Sequence, residues 1–179
     1  ESVFDKEEFG VRRQKVRAKM ADEGIDTLIV HSPGNIYYLC GHYTLNLWDY
    51  QCLVLPGDGR PFMLLWHFEE GRFAATAVDT DLELFGSGID PFSETRAVLE
   101  KRSCLNGIIG LEKNANFLTP LQFEKLCNTL GSNRIKDCSG IVEHVRMVKS
   151  DAELDVIRIA AKGTDRAMRA AYAEIKEGA

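Results

Sequence analysis

Between Asp5 and Glu23 the chain is charged, Phe9, Val16 and Met20 recur at helical spacing, and Gly24 follows at once. That pattern predicts a helix closed by a glycine in the left-handed region. Ile25-Asp26-Thr27-Leu28-Ile29-Val30 is a β-branched apolar run too short for a helix, so it predicts a buried strand. The breakers Ser32-Pro33-Gly34-Asn35 predict a turn behind it. Two further apolar runs, 51–55 and 62–66, flank Pro56-Gly57-Asp58-Gly59-Arg60-Pro61, whose Asp-Gly pair suits the positive φ of a tight antiparallel hairpin.

Residues 69–76 are weakly helical in pattern, and Asp81-Leu82-Glu83-Leu84-Phe85 alternates like a strand before the loop Gly86-Ser87-Gly88. A helix is predicted over 91–102, opened by Pro91 in its first turn, and a short strand over 107–111. Thr119 as cap, Pro120 at the first position and Gln122 three residues on mark the next helix, which Gly131 ends. A last strand is predicted over 135–138. Strands alternate with helices after the hairpin, which predicts an α/β domain with a mixed β-sheet and helices on both faces.

The tail departs from this pattern. Ser150 and Glu153 form a capping box, and Leu154, Ile157, Ala161, Thr164, Met168, Ala171 and Ile175 then fall on one face of a long helix predicted to end at Gly178. An apolar stripe of that length must be covered by its own sheet, a second copy or a further domain.

With 179 residues, 45% apolar and 27% charged, the chain suits one well-buried α/β domain plus a terminal extension. Its formal charge of −5 offers no cationic field for nucleic acid or an anionic bilayer, so neither is expected as a partner. Cys40, Cys52, Cys104, Cys127 and Cys138 are scattered, odd in number and free of C-x-x-C spacing, as in a reduced cytoplasmic protein rather than a disulfide scaffold or zinc knuckle. There is no signal-like start and no apolar run near the ~20 residues that span a membrane, so a cytoplasmic setting is expected.

Motifs that carry chemistry are scarce. His31, His42, His67 and His144 stand apart, with no spacing that builds a metal site on one element. Gly86-Ser87-Gly88 lacks the strand-to-helix context of a nucleophile elbow, and Gly57-Asp58-Gly59 lies between strands rather than before a helix that could hold phosphate. Cys40 follows an apolar run without a basic neighbour, which describes a buried, inert thiol. The densest group of functional side chains is 42–50, with three aromatics, a histidine and an aspartate in nine residues. That much aromatic surface should contact something.

Three stretches carry a family resemblance. Asn35-Ile36-Tyr37-Tyr38-Leu39-Cys40-Gly41 resembles the N-x-x-Y-L-T-G stretch of prolidases, aminopeptidases P and creatinases, with cysteine in place of the usual threonine. Gly110-Leu111-Glu112 resembles their G-x-E strand ending, and Arg146-x-x-Lys149-Ser150-x-x-Glu153 resembles the junction that leads into the pita-bread catalytic domain. The ordered set covers nearly the whole chain. It implies the creatinase/prolidase amino-terminal fold, with its ribonuclease H-like motif, over residues 1–145, and a junction plus first helix of a missing catalytic domain over 146–179.

The resemblance also implies function. In that family the catalytic domain holds two divalent metal ions (Mn, Co or Zn), so no catalytic residue, metal ligand or cofactor is expected within this chain. The implied partners are its own catalytic domain, a second copy in a homodimer, and a peptide or small amide substrate. The loop 42–50 matches, by position, the loop such domains lend to the neighbouring subunit, which makes His42, Trp48 and Tyr50 candidates for substrate binding in trans. The alternative is that these rings pack on their own sheet or at a dimer face. The loop lacks the arginine that grips the substrate in creatinase-like members, which favours a prolidase-like dipeptidase or an amide hydrolase acting on a less charged substrate such as ectoine. A peptidase-like interaction protein without catalysis is the reading from a different class.

Overall fold

The computed structural model describes residues 3–46, 48–115 and 117–175. Helix α1 (Lys6–Asp22) is capped by Asp5, whose carboxylate accepts from Glu8 N at 2.8 Å, and it ends ahead of Gly24 at φ +66°. β1 (Thr27–Val30) follows, then α2 (Pro33–Cys40), the hairpin β2 (Cys52–Pro56) and β3 (Phe62–Trp66), a short 3-10 turn and α3 (Glu70–Thr76). β4 (Asp81–Phe85), α4 (Pro91–Lys101), β5 (Ile109–Leu111), α5 (Pro120–Leu130), β6 (Ile135–Asp137), α6 (Ile141–Met147) and α7 (Asp151–Glu174) complete the order.

The six strands form one mixed sheet in the order β4-β3-β2-β1-β5-β6. β2 is antiparallel to both β1 and β3, while β3–β4, β1–β5 and β5–β6 are parallel. The strand period of two sorts the side chains between two cores. Leu28, Val30, Leu53, Leu55, Met63 and Leu65 face α1, α2, α3 and α6, whereas Ile29, Cys52, Val54, Phe62, Leu64, Ile109 and Leu111 face α4 and α5. The expected mixed sheet with helices on both faces is the architecture found.

The structure departs from the sequence reading at three places. Ser32 to Asn35 is not a turn but the cap and first residues of α2, with Ser32 extended ahead of the helix and Pro33 in its first turn. Proline lacks the N–H that a first helical turn leaves unpaired anyway, so here it starts a helix instead of breaking one. Helix α6 was not anticipated; it is seven residues long, and Ile141, Val142 and Val145 seal one face of the sheet. β6 stops at Asp137, one residue short of the expected end. The predicted stop at Gly178 lies outside the described residues.

Both capping boxes read from the sequence are formed, at Thr119 with Gln122 and at Ser150 with Glu153. Arg12, only 2% exposed, is held among aromatic faces: its guanidinium carbon sits 4.0 Å from the Phe4 ring centre and 4.6 Å from that of Tyr38, and Nη1 donates to Tyr38 O. The chain divides into two compact units, 1–146 with the sheet and 147–179 with α7. In α7 the apolar positions Leu154, Ile157, Ala161, Met168 and Ala171 follow one stripe.

Candidate functional site

The carboxyl ends of β1, β3, β4 and β5 and the amino end of β2 share one edge of the sheet, which gathers His31, Tyr50, Trp66, Phe85 and Glu112. Loops beyond that edge of an α/β sheet are where ligands commonly meet the fold. Loop 42–50 leaves from the end of α2, where Gly41 adopts φ +76°. A Cβ there would lie 3.0 Å from the Phe9 ring and 3.1 Å from Thr76 O, so glycine answers both the turn and the close approach.

The loop separates its candidate residues. His42 is buried: Nδ1 lies 3.0 Å from Thr76 Oγ1, the ring lies against Phe73, and burial pushes its pKa down to about 4. Because Thr76 Oγ1 already donates to Arg72 O, His42 Nδ1 carries the proton toward it, and the buried Nε2 has no hydrogen-bond partner. Tyr50 is buried as well, its ring among His31, Phe85 and Phe92. Thr95 Oγ1 donates to Pro91 O, so the Tyr50 hydroxyl donates to Thr95 at 2.9 Å and can accept from His31 Nε2 at 3.4 Å. That relay sets the neutral His31 tautomer and leaves its Nδ1 unpaired.

Trp48 differs in kind, for it is 85% exposed. The turn that carries it is ordered by Asn46, whose Oδ1 accepts from Trp48 N and Asp49 N while its Nδ2 donates to Asp49 Oδ2 at 2.6 Å. Asn46 N in turn donates to Thr44 Oγ1, and Thr44 donates to Glu69 at 2.7 Å. An asparagine side chain that bonds the backbone two and three residues on is a turn motif. The loop therefore holds an indole in water on a braced support; Leu47 lies outside the described residues. Beside it, a recess of about 290 Å³ is lined by Asp49, Tyr50, Trp66, Phe85, Ser87 and Ile89. The Asn46 brace was not read from the sequence, although an asparagine and an aspartate three apart are a visible turn signal.

The three resembling motifs meet in one hydrogen-bond network, buried at Asn35 and Glu112 and open to solvent at Glu143. Glu112, 2% exposed, accepts from His31 N at 2.8 Å, Ser32 N at 2.9 Å and Asn35 Nδ2, and so ties the end of β5 to the start of α2. Asn35 Nδ2 also donates to Glu143 at 2.8 Å, and Arg146 Nη1 donates to Asn35 Oδ1 at 2.7 Å. Burial pushes the Glu112 carboxyl up, and the donors from Ser32, Asn35 and His31 pull it back. Asn35, Glu112 and Arg146 thus act on one another and hold the fold together.

Among the described residues no group of three or more His, Cys, Asp or Glu side chains could hold a metal ion, so the two divalent ions implied by the resemblance find no fitting ligand set here. No helix in the described residues is long and apolar enough to cross a membrane. The five cysteines are free, and burial pushes the Cys40 and Cys52 thiols up to about 12.

A family model described as the Creatinase/Prolidase N-terminal domain matches residues 12–148. The chain is 26% identical to an ectoine hydrolase of Halomonas elongata, covering 89% of this chain and 42% of that protein. It is 27% identical to an Xaa-Pro dipeptidase of Lactobacillus delbrueckii, covering 92% and 44% respectively. The chain therefore spans less than half the length of these curated relatives. The fold matches that of an Xaa-Pro dipeptidase from Bacillus anthracis with a TM-score of 0.75, at 17% identity, over 94% of this chain and 44% of that one.

Proposed function

The chain belongs to the creatinase/prolidase amino-terminal domain family, and from that membership we propose that it is the non-catalytic domain of a metal-dependent Xaa-Pro dipeptidase-like hydrolase. In this reading it aids dimerisation and shapes the substrate pocket of the partner subunit. The observation that carries it is the side-chain bonding of Thr44, Asn46 and Asp49 around Trp48, which stands almost fully in water. An indole kept exposed on an ordered turn is poised to cover something outside its own domain. His42 and Tyr50 position that loop from inside, and Trp48 makes the contact.

Two divalent metal ions would be held by ligands outside this chain, in the catalytic domain of the full-length enzyme. The five free thiols support a reducing, cytoplasmic setting. A second reading, in which the substrate is a cyclic amidine such as ectoine, is supported by the similarity to the Halomonas ectoine hydrolase.

The test is Trp48→Ala in the full-length enzyme, assayed on Xaa-Pro dipeptides and on ectoine. We expect a raised KM or a reduced kcat with an unchanged melting temperature, because the ring contributes little to its own core. Unchanged kinetics with a lowered melting temperature would overturn the pocket role. Hydrolysis of Xaa-Pro dipeptides by the 179-residue chain with added manganese would overturn the non-catalytic reading.

A further inference from the structure

A second concave surface lies where α2 and α3 end. It has a volume of about 550 Å³, with Gly41 and Thr76 in its lining together with Tyr37, Tyr43 and Arg72. That size falls within the range of small-molecule sites, roughly 300 to 1,000 Å³. The two tyrosine rings meet edge to face at 6.4 Å, and the Arg72 guanidinium carbon lies 5.7 Å from the Tyr43 ring centre.

The Thr76 hydroxyl in this lining is taken up by His42 and Arg72 O, but three other polar groups are not. Among the described residues, the Arg72 guanidinium and the phenols of Tyr37 and Tyr43 have no hydrogen-bond or ion-pair partner. Most of the other arginines of the sheet unit are engaged: Arg13 and Arg60 with Asp79, Arg102 with Asp81 and Glu83, and Arg96 with Glu100. The carbonyls that end α2 are answered as well. Tyr37 O accepts from Gly41 N, Tyr38 O from Arg12, Leu39 O from Arg13 and Cys40 O from Val78 N, so they offer little repulsion to an anion.

We propose that this recess is a binding site for a small monocarboxylate carrying a planar or cyclic body. The guanidinium fork takes the carboxylate through two parallel N–H···O bonds, the pairing for which arginine is suited and lysine is not. The tyrosine faces take the ring, and their hydroxyls supply further donors. One cation in a chain of net charge −5, with Glu69 and Glu70 beside it in sequence, selects a single negative charge over a polyphosphate. The site lies wholly within the sheet unit and does not depend on the proposed hydrolase activity.

The test is an NMR titration of the 179-residue chain with benzoate, its neutral isostere benzamide, and inorganic phosphate. Benzoate should shift the amides of Gly41, Tyr43 and Thr76 saturably; benzamide should bind at least about tenfold more weakly, the loss expected when a charge-assisted pair is removed, and phosphate, which keeps that pair but has no ring for the tyrosines, should also bind more weakly than benzoate. Arg72→Gln should weaken benzoate by a similar factor at an unchanged melting temperature, since the side chain is exposed. Arg72→Lys, which keeps the charge without the fork, should fall between the two and serves if the glutamine variant is unstable. Equal binding of benzoate and benzamide, stronger binding of phosphate, no saturable shift, or full affinity in both Arg72 variants would overturn the proposal.

Discussion

Replacing His31 with phenylalanine should flatten the acid dependence of stability. His31 is 1% exposed, and burial pushes its imidazole from 6.5 down to about 4. A base whose pKa is depressed on folding binds its proton better in the unfolded chain. Its contribution is therefore complete above the unfolded pKa and is lost as pH falls toward the folded one. Near pH 5 the unfolded imidazole is mostly charged and the folded one mostly neutral, a difference of about 2 kcal/mol at roughly 1.4 kcal/mol per unit below the unfolded pKa. Phenylalanine fills the same space and gives up only the 3.4 Å contact with the Tyr50 hydroxyl, which keeps Thr95. His42, also at about 4, contributes a slope of the same sign to both proteins, and Glu112, whose pKa is raised, one of the opposite sign. The quantity to measure is thus the difference between the two proteins in urea unfolding near pH 7 and near pH 5. The native chain should lose about 2 kcal/mol more than His31→Phe over that interval. Parallel losses would refute the buried, neutral imidazole.

Asn35→Ala should destabilise the domain by about 1 to 3 kcal/mol, because the buried Glu112 loses a donor, while the exposed Glu143 and the half-buried Arg146 can turn to water. Urea midpoints report it, and a change under about 0.5 kcal/mol would mean that water replaces the amide without penalty. Gly110→Ala should cost about 1 to 3 kcal/mol by overpacking, since its Cβ would meet Cys138 Sγ at 2.5 Å and Leu28 Cδ1 at 3.1 Å. Adding Cys138→Ala should return part of that loss, and a double variant no more stable than Gly110→Ala would refute the steric account.

Local chemistry made much of this protein legible from its sequence. The capping boxes at Thr119 and Ser150, the Asp58-Gly59 hairpin and the alternating strands are written in neighbouring residues, so most elements and the mixed α/β class follow from spacing alone. The motifs at Asn35, Glu112 and Arg146 likewise identified the family without coordinates. Where a signal had two meanings, local reading failed: Pro33 suits a turn and a first helical turn equally, and α6 is too short for its periodicity to stand out.

What tertiary structure alone decided is which side chains face inward and which groups are left over. His42, Trp48 and Tyr50 are near neighbours in sequence and alike in character, yet two are buried and one stands in water, because burial depends on which parts of the sheet and α3 lie behind each residue. Asn35, Glu112 and Arg146 are far apart along the chain and become one hydrogen-bonded cluster only when β5, α2 and α6 pack together. Arg72 looks like any helical surface arginine in the sequence; only folding sets it beside Tyr43 and, among the described residues, without an ion-pair partner. Spacing along a chain specifies the local conformations, whereas pairing between distant residues, and the absence of a pair, is a property of the packed whole.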